Sequence, residues 1–533
     1  MIRPRWLFFS FFMWLAGHGR FLSLFFQEYG LSDTDIGILL SISPLVSTFS
    51  APVLGFAADK AAAMDLRIPG TCLVGHAAAL AVFVCGTTLC FLCFIFLRKG
   101  QANFGEFATV QCMYALSISA VFGCLDGLSI RFLTMTGGDR TQYGAERLYG
   151  AYGWALSSLV LGAASDVWGL VLCTYVCVVV NAVFVIFTLI QFSKGLIELA
   201  AIDRDAATRK TYNIVDQDQA KEKDGVGATT GDAIEEAEDN DHQKEDRRKG
   251  NDSKIYNVLH QDQEKNGESK SMAEVEETKN DDHQKHDNRK FNVSAASIML
   301  LFCRLFGTPS RFGFVFCCVT MAAATSIVEK LVFLFFAQDL GASYLLCGLS
   351  VVVTVLFEVP IFAYASPLLK RFGAPRLLVI AAFAYVTRVV GYTFVPNKWL
   401  VLALEPLHGV TFACLTSARV EYVAAVTPDG LEATGQIIMG TMTSLGGSLV
   451  GSAVGGFVEE TYGSRILYRG AAVVVAVAFF IYGVLAGIEN VTSSVGVAVS
   501  TRGMKVCVEG EVCDDKEDEE IGGYANHEME IQK

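Results

Sequence analysis

The sequence predicts an all-α membrane protein with twelve transmembrane helices arranged as two six-helix halves. Three observations carry that reading. Twelve long apolar stretches run along the 533 residues, each near the ~20 residues that one bilayer crossing needs. One charged, Cys-free segment from Ile202 to Lys290 splits them six and six. The apolar residues, 52% of the chain, sit in near-continuous blocks and are not dispersed among soluble cores. Lipid offers the backbone no hydrogen-bond partner, so only helices or closed barrels cross it, and stretches of this length read as helices.

The elements follow in order. Arg3 and Arg5 precede helix 1, Trp6–Tyr29, which is too long for a signal-peptide core and lacks a small-residue cleavage site. Helices 2 to 6 are Ile36–Ala58, Cys72–Leu97, Phe107–Met135, Leu148–Val167 and Leu170–Phe192. Helices 7 to 12 are Phe312–Phe336, Tyr344–Pro367, Arg376–Val395, Trp399–Val423, Thr434–Val458 and Ile466–Ile488. The chain therefore divides into a half at 1–200, a disordered acidic loop at 201–294, a second half at 295–488 and a disordered acidic tail at 489–533.

Charge placement sets the expected orientation. The net charge of −13 belongs to the loop and the tail. Residues 203–290 hold sixteen Lys and Arg against twenty-four Asp and Glu, and 489–533 hold four against eleven, which leaves the membrane part at +2. That distribution argues against nucleic-acid binding. With both termini inside, the inner short loops carry Arg3, Arg5, Lys60, Arg67, Arg140, Arg147, Lys370, Arg371 and Arg376. The outer loops carry Arg98, Lys99, Lys398, Arg465 and Arg469. Nine against five places the termini and the long loop in the cytoplasm, with the plasma membrane as the default location.

The loop repeats itself. Tyr212-Asn-Ile-Val-Asp-Gln-Asp-Gln returns as Tyr256-Asn-Val-Leu-His-Gln-Asp-Gln, and Asp241-His-Gln-Lys returns as Asp282-His-Gln-Lys. Its few apolar residues are too sparse to build a core, so it reads as a tether, with docking of cytoplasmic partners as the alternative. A fainter repeat links the halves: Gly37 to Lys60 spans the same distance as Gly348 to Arg371, each ending in a basic cluster. The fifteen Cys lie mostly in apolar helices, and Cys90 and Cys93 have no His or acidic partner nearby. No metal and no cofactor is expected, and no phosphate loop, HExxH or GxSxG suggests catalysis.

Four motifs remain. Gly55-Phe-Ala-Ala-Asp59-Lys60 closes helix 2, and Pro367-Leu-Leu-Lys370-Arg371-Phe-Gly373 stands at the matching place in the second half. Tyr143-Gly-Ala-Glu-Arg147-Leu-Tyr149-Gly150-Ala-Tyr-Gly153-Trp154 enters helix 5. Glu358-Val-Pro360 and Glu405-Pro-Leu-His408-Gly409 mark helices 8 and 10, and Leu431-Glu-Ala433-Thr-Gly435-Gln436 precedes helix 11. Together they resemble the branch of the major facilitator superfamily that includes lactose-permease-like and nucleoside-permease-like proton symporters. The likeness covers roughly residues 5–192 and 312–488. It implies a gate at Gly55, Asp59, Lys60, Lys370 and Arg371, proton coupling by the acids of helices 8 and 10 with the Arg of helix 9, and a solute-contacting acid–Arg pair in Asp126 and Arg147. The run of Arg usual after the first motif is missing here, and Glu405 precedes His408, the reverse of the lactose-permease order.

The same residues stand out on physical grounds, because an ionisable group in mid-bilayer costs several kcal/mol unless paired. At ~1.5 Å per residue, Arg388 lies about 20 Å in from the inner end of its helix, and His408 and Glu358 lie about 14 and 21 Å in from the outer ends of theirs. These depths bring the three to one level, and Glu405 and His408 share a face at i, i+3. Glu358, Arg388, Glu405 and His408 form the expected proton-coupling set, in which protonating Glu405 would release Arg388. Asp126, Arg147, His18, Arg20 and Glu329 form the expected substrate set. Glu329 and Lys330 are adjacent and face different directions, so at most one lines the cavity.

These readings describe a secondary transporter, a proton symporter of a small polar organic solute, whose halves rock around a central cavity lined by helices 1, 4, 5, 7, 8 and 10. Its partners are the solute, protons and the lipid bilayer. A uniporter or proton-driven exporter of the same fold is one alternative. A transporter-like sensor signalling through its loop and tail is another.

Overall fold

A computed structural model describes residues 2–64, 67–69, 71–97, 103–137, 142–226, 303–427 and 432–505. Among them eleven helices are long and apolar enough to cross a membrane. These are α1 (Pro4–Glu28), α2 (Asp33–Ala62), α3 (His76–Phe96), α4 (Phe104–Met135), α6 (Leu170–Ile202), α7 (Pro309–Gln338), α8 (Tyr344–Ala363), α9 (Ala365–Phe394), α10 (Lys398–Val426), α11 (Thr434–Tyr462) and α12 (Ser464–Glu489). The twelfth, α5 (Gln142–Trp168), is 27 residues long, and its Gly, Ser and Tyr content keeps its hydropathy down. The six-and-six architecture is therefore present. The most apolar windows of α1 and α7 are 67% and 61% buried, against 22% for α12, so α1 and α7 run through the middle of the body and α12 lies at its edge.

Local chemistry sets most boundaries. Ser32, Thr308 and Ser343 cap α2, α7 and α8 by accepting from the amides of Asp35, Arg311 and Leu346, and Pro309 stands where its missing N–H costs nothing. Gly373, at φ 72°, breaks α9, so Ala365–Phe372 form a short lead-in helix and the crossing proper starts after the glycine, near the predicted Arg376. Two ends outrun the prediction. The helix of α6 continues through Val226, into the charged loop and its first repeat copy, and that of α12 continues to Lys505. The second copy, from Tyr256, and the acidic run after Asp514 lie outside the described residues.

Four helices are interrupted near their middles. α1 breaks at His18–Phe21, where backbone bonds tighten to the three-residue spacing. α4 breaks at Ser119–Ala120, and α10 breaks at Glu405, directly before Pro406. α11 widens to a π-helix over Thr443–Leu449. Broken helices at membrane depth survive where the freed backbone faces protein or a water-filled cavity.

The halves meet at the membrane face opposite the termini. Gly37 of α2 lies against Ser452 and Gly456 of α11, and Gly348 of α8 lies against Ser158 and Leu159 of α5. A Cβ at either glycine would strike backbone. The fainter repeat seen in the sequence thus marks the two places where one half presses on the other. Carboxylates reinforce both seams. Asp166 at the end of α5 accepts from the amides of Tyr344 and Leu345 (2.8 and 3.0 Å), and Glu460 at the end of α11 accepts from that of Thr34 (2.8 Å). Each half caps the first turn of a helix in the other. Toward the termini face Gly55, five turns from Gly37 on the same side of α2, would meet nothing within 4 Å with a Cβ, so the halves part on that side.

Candidate functional site

The centre of the body holds a chain of ionisable groups. Arg388 of α9 and Glu405 at the break of α10 are 1% and 0% exposed, and their side chains meet at 2.7 Å. Glu405 is further held by the hydroxyls of Tyr392 (2.6 Å) and Thr354 (2.9 Å), both donating. Three donor contacts thus surround one buried carboxylate, and the break before Pro406 turns its side chain toward them. Arg388 also lies over the ring of Tyr392, at 5.2 Å from its centre.

His408 links this cluster to the first half. Arg388 approaches its Nδ1 at 2.7 Å, and Arg20, from the break of α1, approaches its Nε2 at 2.6 Å. A neutral imidazole has one acceptor nitrogen. The ring therefore satisfies one arginine at a time, and one choice stays within the second half while the other joins the halves. Arg20 keeps a buried Nη1 without a partner. Glu329 of α7, about a third exposed, stands 4.0 Å from His408. Glu358 of α8 is half-buried with Arg20 and Glu329 as its charged neighbours, and among the described residues no hydrogen bond or ion pair holds it.

The structure thus gathers Glu358, Arg388, Glu405, His408, Arg20 and Glu329 into one neighbourhood. Lys330 turns away from it, as adjacency to Glu329 requires, and its ammonium donates to the Leu40 carbonyl of α2. Asp126 and Arg147 form a separate site in the first half. Tyr143 donates to Asp126 at 2.6 Å and accepts from Arg147 at 3.1 Å, while the acid and the arginine stand 3.8 Å apart, 31% and 47% exposed.

Two expectations need correction. His18 does not line the cavity. It is 2% exposed, bonded to Tyr114 at 2.8 Å and wedged against Trp14 and Phe91, because the break of α1 turns His18 into the first-half core and Arg20 toward the centre. Gly55 does not let a helix close on α2 in this conformation, since a Cβ there would meet nothing within 4 Å. Asp59 pairs with His76 of its own half at 2.8 Å, while Lys60, Lys370 and Arg371 are exposed on the open side. Among the described residues no ion pair joins the two gate motifs across the halves.

Other features escaped the sequence. Tyr392 and Tyr143 each lie one helical turn from an arginine already singled out, and that i, i+4 spacing was the available signal. Glu146 is buried and takes three bonds from Arg5, including its backbone amide; the residue lay unremarked inside the helix 5 motif. Two of the three glycines of that motif have a packing role, with Gly150 and Gly153 against Phe12 and Phe9 of α1, and Trp154 covering Gly19.

Comparison with known proteins places this geometry. A profile of the MFS_1 like family matches residues 2–470. A maltose permease of Geobacillus stearothermophilus is 21% identical over 448 residues, 84% of each chain. The major facilitator superfamily domain-containing protein 6-like protein A of Xenopus laevis is 26% identical over 136 residues, 26% of this chain and 22% of that one. The chain thus spans about a quarter of the length of the first curated relatives it matches. Among solved structures, the nucleoside transporter NupG superposes with a TM-score of 0.60 at 14% identity, over 90% of this chain and 98% of that one.

Proposed function

The chain belongs to the MFS_1 like family, and from that premise we propose that it carries a small polar organic solute across its membrane together with a proton, by alternating access. It is a multi-pass membrane transporter of the major facilitator superfamily. The single observation that carries the finer reading is the central chain Glu405–Arg388–His408–Arg20, which runs from one half into the other through a ring with one lone pair to offer. A proton added anywhere along such a chain changes which arginine is satisfied, and so changes how strongly the halves hold together at mid-depth.

Burial divides the roles. Glu405 is sealed and fully bonded, so it fixes Arg388. Glu358 has access to the cavity and no bonded partner, which makes it the carboxyl that a proton reaches first. The unmet Nη1 of Arg20 leaves room for an acceptor oxygen of the solute, with Asp126 and Arg147 contacting its far end. Cytoplasmic termini, as the loop charges favour, make the described conformation the one open to the cytoplasm.

The test is a pH-sensitive dye inside proteoliposomes carrying the purified protein, challenged in turn with sugars, nucleosides and organic acids. Solute-dependent acidification by the wild type, abolished in Glu358→Gln with solute exchange retained, is the expected result. Solute flux with no proton movement would convert the reading to a uniporter, and its absence with every solute would overturn transport of these classes.

A further inference from the structure

Pro44 lies inside α2 and has no N–H to give to the carbonyl of Leu40, four residues earlier. At membrane depth an unmet carbonyl is expensive, and a neighbouring element normally supplies the missing donor. Here the donor comes from the other half of the molecule. The ammonium of Lys330, on α7, donates to the Leu40 oxygen at 3.0 Å. Leu40 is 6% exposed, and among the described residues no carboxylate forms an ion pair with Lys330, so this carbonyl is where the charge is held.

The position of the bond gives it a purpose. Leu40 lies one turn below Gly37, where α2 presses on α11, and Lys330 follows Glu329, which faces His408. One turn of α7 therefore carries both a contact to the central chain and a tie to the opposite half. We propose that Lys330 is a positioning residue of the transport cycle: its ammonium clasps the carbonyl that Pro44 frees, holds the face opposite the termini shut, and must let go for that face to open. The inference rests on the alternating-access reading. A charge-assisted bond of this kind shifts an equilibrium by on the order of tenfold to a hundredfold.

The experiment is hydrogen–deuterium exchange on the full chain in lipid nanodiscs, without solute or pH gradient, reading residues 344–350 and 452–462, neither of which contains a substituted position. Lys330→Met should speed exchange there by about tenfold or more, and Lys330→Arg, which keeps a donor, should stay near wild type. Pro44→Ala supplies Leu40 with an internal amide and so should speed exchange with Lys330 intact. The double variant Pro44→Ala with Lys330→Met should exchange no faster than the faster single variant. Wild-type exchange in Lys330→Met, or effects of the two substitutions that multiply, would overturn the clasp. Should Lys330→Met fail to fold, Pro44→Ala alone decides, and wild-type exchange in that variant would overturn the clasp. Exchange needs no flux, so failure of the transport reading in liposomes is a separate outcome.

Discussion

Each six-helix half carries an acid, an arginine and a tyrosine one helical turn from that arginine, but at different depths. In the second half, Glu405, Arg388 and Tyr392 are sealed from solvent, with the ions 2.7 Å apart. In the first, Asp126, Arg147 and Tyr143 are partly exposed, with the ions 3.8 Å apart. On the proposed function the same three groups serve different ends, because the surrounding dielectric differs. A buried pair with both carboxylate oxygens bonded is costly to break, whereas an exposed pair contributes little to stability and is free to exchange its partner.

The largest effect should follow from breaking the buried member. Removing one partner leaves an uncompensated charge, so Arg388→Ala should cost about 3–5 kcal/mol in thermal or denaturant unfolding in detergent. Glu405→Gln should lose less, since its single amide oxygen keeps the donor on one side and the hydroxyl that faces its NH2 can turn to accept. If Arg388→Ala melts with the wild type, the cluster is not the fixed element described here.

Next in size is Asp126→Asn in the first half. Stability should change by about 1 kcal/mol or less, because the pair it disrupts is solvated. Solute affinity should fall about tenfold, the loss expected when one hydrogen bond to a charged group goes, measured as KM in counterflow. The reverse pattern, a large loss of stability with unchanged KM, would make the first-half triad an inner lock and erase the contrast between the halves.

Much of this contrast was legible in the sequence. Intramembrane charge is rare enough that Arg388, Glu405, His408, Asp126 and Arg147 announce themselves, and helical rise alone brings Arg388, His408 and Glu358 to one level. The repeat from Gly37 and Gly348 spoke in the sequence only for duplicated halves, and the contacts of the two glycines add that it also marks the seams. What stayed hidden depends on rotation about a helix axis. A break in α1 sends His18 into the core and Arg20 into the centre, although two residues apart they look equivalent. The partner of Lys330 is a backbone oxygen, exposed to it only because Pro44 stands four residues on. Gly55 looks like a packing glycine by motif, yet α2 faces open space there because the halves are parted on that side.

The smallest effect is also the sharpest comparison, because one hydroxyl is removed from each triad. Tyr392→Phe deletes a donor to a carboxylate that water does not reach, so the lost bond is not replaced, and unfolding should cost about 1–2 kcal/mol. Tyr143→Phe deletes the hydroxyl that bridges Asp126 and Arg147, but both groups are wet, and water takes its place. Its stability should stay within about 0.5 kcal/mol of wild type, the range of solvated surface changes, with KM raised by a few-fold. Equal stability losses in the two variants would mean that the first-half triad is as sealed as the second, and that depth does not separate their roles.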